Sequence, residues 1–177
     1  MLKKILIVVS IIIAALLTYI ATRPDTYQVS RSIQTTVEPA RVYLVVNDFR
    51  NFPLWSPWQR LDPAMRVTYG GPPAGVGATY AWAGNKDAGK GRMTIVESIP
   101  DRKVGMDLVF IDPFAAQART DIDIEPTGVG SKITWTMRGQ HTFMSKAMSV
   151  FAPMDAMVGN DFEEGLDNLK RLVQPID

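Results

Sequence analysis

His141 is the only imidazole in a chain of 177 residues that contains no cysteine. Those two facts remove thiolate nucleophiles, disulfides, iron–sulfur clusters and any site needing two histidines. A lone histidine can still act as a general base when a carboxylate or carbonyl orients it. His141 follows Gly139 and Gln140 beyond an alternating segment, so it reads as a solvated loop residue or a residue at the rim of a cavity. Glu97 shares an alternation with Met93 and Ile95, which puts a carboxyl on an apolar face where burial raises its pKa, unless the strand ends there in water. Arg92, Tyr80 and Asp107 complete the ionisable groups an enzyme cavity could use. Asp121, Asp123 and Glu125 also alternate. A strand spacing of two separates such carboxylates by roughly 6–7 Å, wide for one cation, so they read as a solvated face. The glycine-rich run Gly70–Gly77 lacks the Gly-Lys-Ser/Thr ending of a phosphate loop and reads as a strand connection able to cover a cavity. The serines lack a G-x-S-x-G context. The chain therefore gives no catalytic residue, no metal site and no cofactor.

The residues that stand out are large and apolar. Trp55, Trp58, Tyr80, Trp82, Met93, Ile95, Met106, Phe110, Trp135, Met137, Met154, Met157 and Phe162 are the candidate lining of an apolar pocket, with Glu97 and His141 as its possible polar groups. Tryptophan offers a broad apolar face with one donor, and flexible thioethers adapt to a ligand. The same side chains also make ordinary core.

The elements that must carry them follow from periodicity. Thr26–Thr36 alternates as a strand, and Glu38-Pro39 starts a short helix running to Asp48. Asn51–Trp58, with two prolines and two tryptophans, predicts an irregular turn with a large apolar face. Strands are predicted over 66–69, 78–83, 91–98, 103–110, 117–125 and 131–138, separated by Gly/Pro/Asp clusters. In 91–98 the alternation puts Met93, Ile95 and Glu97 on one face and Arg92, Thr94 and Val96 on the other. One apolar and one polar face implies an antiparallel sheet covered on one side. Met154–Val173 has helical period, and Gly159 and Gly165 within it predict a close approach to the helix backbone.

Before all of this lies Ile5–Ala21, seventeen residues without a charge, eleven of them Ile, Leu or Val. As a helix it would be roughly 26 Å long, against a bilayer core of about 30 Å. A buried helix would show a polar stripe, and a cleaved signal would have a shorter apolar run and an A-x-A exit; the exit here is Tyr19–Pro24. Residues 1–23 are thus read as a signal-anchor that contacts the membrane through 5–21, and 24–177 as one domain. Lys3 and Lys4 before the run, against Arg23 after it, predict a cytoplasmic N-terminus and an extracytoplasmic, periplasmic-type domain. After Pro24 sixteen basic residues face eighteen acidic ones, a net charge near −2, which gives no case for nucleic acid.

Three segments carry a family resemblance: Phe52-Pro-Leu-Trp-Ser-Pro-Trp58, Gly91-Arg-Met-Thr-Ile-Val-Glu97 and Asp161-Phe-Glu-Glu-Gly-Leu-Asp-Asn-Leu-Lys170. With the element order, residues 26–173 resemble the START-like (SRPBCC) superfamily, closest to its polyketide cyclase/dehydrase-like branch. The resemblance implies an α+β helix-grip fold, in which a curved antiparallel sheet wraps a long C-terminal helix, here preceded by one transmembrane helix. It implies a cavity between sheet and helix for a hydrophobic small molecule or lipid. Most such domains bind; some are cyclases or dehydratases using the same cavity, and an interaction or stress-response module is a third expectation.

Overall fold

Alternation resolves into seven antiparallel strands in one sheet. They are β1 (Thr26–Thr35), β2 (Arg66–Gly70), β3 (Thr79–Ala83), β4 (Lys90–Ile99), β5 (Lys103–Asp112), β6 (Ala116–Thr127) and β7 (Gly130–Gln140). Their order is β1-β7-β6-β5-β4-β3-β2. Strands β2 to β7 form a meander, and β1 returns to pair with β7, with Thr26 opposite Gln140. The computed structural model describes residues 1–150 and 153–174, with only the backbone at Phe143 and Met144.

The helices are α1 (Leu2–Ala21), α2 (Pro39–Val46), α3 (Phe52–Trp55), α4 (Phe143–Ser149) and α5 (Met154–Val173). The expected irregular turn is instead ordered as α3 followed by a 3₁₀ turn, Pro57–Leu61. Pro53 and Pro57 each stand in a first helical turn, where a missing N–H costs nothing, so the prolines start these turns rather than break them. Helix α4 was not expected. It has seven residues, too few for a helical period to show, and its one local signal is Thr142, whose hydroxyl accepts from the Ser145 N–H as an N-cap.

Helix α5 lies across the inner face of the sheet, chiefly along β1. Its two glycines mark where the sheet comes closest. A Cβ on Gly165 would fall 2.7 Å from the Trp135 ring, and one on Gly159 would fall 2.2 Å from the Arg31 guanidinium. Arg31 reaches up from β1 and donates to Asp155 at 2.7 Å and to Glu163 at 2.6 Å, one partner on either side of Gly159. The helix thus gives up about 1 kcal/mol of propensity at each glycine to let a tryptophan and an arginine pass under it.

These neighbours differ in how far they can yield. Gly165→Ala should destabilise by about 1–3 kcal/mol, because Trp135 is buried and stacked and cannot move aside. Gly159→Ala should cost less, since only the end of a flexible arginine must shift. Denaturant titration of the two variants checks this; equal midpoints would contradict it.

Candidate functional site

The centre of the sheet's inner face is mostly aromatic and aliphatic. There Trp135 of β7 stacks on Phe162 of α5, with ring centroids 4.2 Å apart and planes 8° from parallel. The Trp135 indole donates to Thr120 Oγ1 at 2.8 Å, so its one polar atom is satisfied inside the sheet. Trp55 and Trp58 meet the Trp135 ring edge-on, at 5.2 and 5.7 Å. Around them lie Tyr80, Met93, Ile95, Met106 and Met137, all buried. Burial pushes the Tyr80 hydroxyl up to about 12.

Two of the segments singled out in the sequence face each other here. The Trp58 indole donates to Asp161 at 3.1 Å, and Arg60 pairs with Glu164. The Asn168 amide donates to the Trp55 carbonyl at 3.3 Å. Pro57 touches the space where Gly165 has no side chain. Phe52–Trp58 and Asp161–Lys170 are therefore two sides of one interface.

One polar atom in this apolar interior stands alone. Trp55 is 2% exposed, and its indole N–H has no acceptor among the described residues. The site also has an open end. Trp82, Leu108, Phe110, Trp58 and Met154 are half-buried where the central residues are closed. The Trp82 ring fills the space beside Gly91, its indole donates to the Ala88 carbonyl at 3.0 Å, and it meets Phe110 edge-on at 6.1 Å. Met157, in contrast, is 50% exposed on the solvent side of α5 and stands apart from the other candidates.

Glu97 corrects the alternation. Ile95 pairs with Met106, but the next pair is Glu97 with Gly105, so Val96 is an extra residue in the ladder. This bulge reverses the faces beyond it. Glu97 goes to the outer face and Ser98 to the inner one, where Ser98 hydrogen-bonds Tyr43 and Asn47 of the α2 region, each at 2.8 Å. On the outer face Glu97 accepts from Arg119 at 2.7 Å and pairs with Lys103 at 3.1 Å. Gly105 makes room for the Arg119 side chain to cross. Arg119 and Arg138 also hold Asp121, whose side chain is only 6% exposed. The carboxylates of β6 are thus not a uniformly solvated face, since Asp121 is covered by its cations. Among the described residues, no three His, Asp or Glu side chains are grouped to hold a metal ion.

His141 sits at the junction between α1 and the domain. Its backbone N–H donates to the Asp25 carbonyl at 2.7 Å, its Nδ1 lies 3.1 Å from Ser145 Oγ, and its ring is 5.0 Å from the Tyr27 ring. Lys146 pairs with the Asp25 carboxylate, and α1 touches α4. The Gly70–Gly77 connection is tied down as well. Gly75 N–H donates to Asn47 and Gly77 N–H to Ile95, at 3.0 and 2.8 Å, and Arg50 donates to the Pro73 carbonyl. A recess of about 70 Å³ opens beside it, lined by Phe49, Tyr69 and Pro73.

A curved antiparallel sheet gripping a long C-terminal helix defines the helix-grip class of α+β proteins. The chain belongs to the polyketide cyclase/dehydrase and lipid transport family, which matches residues 26–174. Solved structures agree in fold. Protein CV1439 from Chromobacterium violaceum aligns at 18% identity over 87% of this chain and 100% of its own, with a TM-score of 0.59. The KanY protein aligns at 15% identity over 85% and 99%, with a TM-score of 0.61. The Aha1 dimer from Colwellia psychrerythraea aligns at 14% over 83% and 96%, with a TM-score of 0.59. At these identities the likeness is one of fold alone. No curated protein matches this sequence.

The junction gives a pH prediction. Burial first, then Lys146 and Arg23, holds the His141 pKa below its ordinary value of 6.5. The folded state therefore binds the proton less readily than the unfolded one. Its contribution is complete above about pH 6.5 and falls as pH drops below that value. Amide exchange across residues 140–146 should speed up on going from pH 7 to about 5.5, after correction for intrinsic rates, and His141→Gln should flatten the change. An unchanged pH slope in the variant would assign the effect elsewhere.

Proposed function

We infer that this chain binds a hydrophobic small molecule or lipid between the sheet and α5, and is held at a membrane by α1. The observation that carries the binding reading is the Trp55 indole N–H, buried in an apolar interior with no acceptor among the described residues. Leaving such a donor unpaired costs about 1–3 kcal/mol, which a ligand oxygen would recover. The ligand is then mostly apolar with at least one carbonyl, hydroxyl or ether acceptor. Met93, Met106 and Met137 belong to the same buried core, and thioether side chains shift at low cost to admit a ligand. Trp82, Leu108 and Phe110, half-buried on the same face, are where such a ligand would enter.

The geometry favours binding over turnover. Of the five ionisable groups an enzyme cavity could use, Glu97, Arg92 and Asp107 lie on the outer face and His141 at the α1 junction; Tyr80 alone faces the interior, where burial keeps its hydroxyl protonated. Family membership supports the ligand class, since the family's description includes both cyclase chemistry and lipid transport.

The anchor reading rests on α1. It is 20 residues long, about 30 Å, and every side chain but Ile20 is exposed. A helix of this length and composition fits a bilayer core of about 30 Å. The two lysines before it favour a cytoplasmic N-terminus, with the domain on the opposite side.

The full chain, purified in mild detergent from its native host and extracted with organic solvent, should yield one apolar oxygen-bearing compound near equimolar amounts by mass spectrometry. Trp55→Phe keeps the ring and removes the donor. It should weaken binding of cis-parinaric acid, a fluorescent fatty acid, by about fivefold to tenfold. Extracts without such a compound, together with no binding of the probe, would overturn the reading.

A further inference from the structure

The outer face carries a recess that the grip does not explain. Strands β2 to β5 form a groove of about 550 Å³ there. Arg66, Lys90 and Arg92 line it with Thr68, over a floor that includes Val109 and Ile111, and no acidic residue lines it. None of the three cations lies within ion-pair distance of a carboxylate among the described residues. This differs from the neighbouring part of the same face, where Arg119, Arg138 and Lys103 are all spent on Glu97 and Asp121. It also differs from a domain whose acidic residues outnumber its basic ones. Three free cations above an apolar floor make an amphipathic anion site. A bare anion would leave Val109 and Ile111 unused, whereas an anion joined to an apolar chain engages both.

Position selects the source of that anion. Arg66 opens β2, Lys90 opens β4, and Ile111 lies one residue from the end of β5. In an antiparallel meander these all lie at one end of the sheet. Thr26 of β1 and Gln140 of β7 belong to the same end, and α1 enters there through only the four residues 22–25. Four residues reach at most about 14 Å. The β5–β6 hairpin at this end exposes Ile111 by 55% and Phe114 by 67%, large apolar side chains that water would not favour.

We propose that the groove between β2 and β5 binds the anionic headgroup and upper chain of an acidic phospholipid in the bilayer that holds α1. The three cations take the phosphate, Val109 and Ile111 take the first methylenes, and Phe114 dips into the interface beside them. The domain is thereby oriented on the membrane rather than tethered loosely above it. The proposal rests on α1 lying in the bilayer.

The test uses the full chain in nanodiscs of phosphatidylcholine mixed with phosphatidylglycerol. Native mass spectrometry of the released protein counts the lipids retained. Phosphatidylglycerol should be enriched over its share in the disc. Removing cations should reduce that enrichment by about fivefold for each one, so Arg66→Ala/Lys90→Ala/Arg92→Ala should abolish it. The charge-keeping set Arg66→Lys/Lys90→Arg/Arg92→Lys should retain it, which separates loss of charge from loss of fold. Equal retention of the two lipids, or enrichment that survives the alanine set, would overturn the groove. Enrichment abolished by millimolar soluble glycerol phosphate would assign the site to a free phosphate compound and overturn the lipid source. Failure of the chain to stay with discs through alkaline carbonate washing would instead refute the anchor, a result distinct from each of these.

Discussion

The stack of Trp135 on Phe162 over Gly165 is the contact on which the rest of the fold depends. It joins the sheet to α5 at the point where a side chain on the helix would prevent contact. Thr120 satisfies the indole N–H from the adjacent strand, so a large amphipathic ring is buried without an unpaired donor. Trp55 and Trp58 then close on the ring edges, and this brings α3 and the 3₁₀ turn onto α5. The Trp58–Asp161, Arg60–Glu164 and Asn168–Trp55 contacts follow from that placement. An aromatic cluster of this kind is rigid, so any adaptation to a ligand falls to the methionines and to the half-buried end near Trp82.

The contrast between the two faces begins at a single residue. The bulge at Val96 turns Ser98 inward beneath α2 and Glu97 outward toward Arg119. Without it, a carboxyl would enter the apolar interior and Ser98 would leave Tyr43 and Asn47 without a partner. On the outer face the same turn completes a network in which Arg119 bridges Glu97 on β4, Asp107 on β5 and Asp121 on β6. Glu97 and Asp107 are partly exposed, so their pairs add modestly to stability, whereas Asp121 is covered, and together they tie three neighbouring strands in register. Gly105 belongs to this arrangement, because any side chain there would displace the arginine.

Much of this was legible in the chain, and the parts that were not share a cause. Strand alternation and turn residues place all seven strands after α1 to within a few residues, and the helical period of Met154–Val173 gives α5 its observed bounds. The two glycines announced a close approach, although only the structure names Trp135 and Arg31 as the neighbours. Glu97 was misplaced because a bulge adds one residue without leaving a mark in the alternation. Helix α4 was missed because seven residues show no period, and Met157 was assigned to the lining because a residue inside an apolar helical stripe can still fall at its edge. The outer groove was invisible for a different reason. Arg66 comes from β2 and Lys90 and Arg92 from β4, and only the pairing of β2 with β3 and β3 with β4 brings them together.

The end of the sheet that receives α1 is also the end where the interior is least closed. Trp82 lies near the end of β3, Phe110 near the end of β5 and Gly91 near the start of β4, level in the ladder with the residues that follow α1. If α1 lies in a bilayer, the half-buried rim and the hairpin bearing Phe114 both stand on the membrane side. An apolar ligand could then pass between lipid and protein without crossing water, avoiding the transfer cost of about 25 cal/mol for each Å² of apolar surface. A short linker is what such an arrangement requires. A long one would let the opening turn away, and the four residues between α1 and β1, pinned by Asp25 to His141 and Lys146, do not allow it.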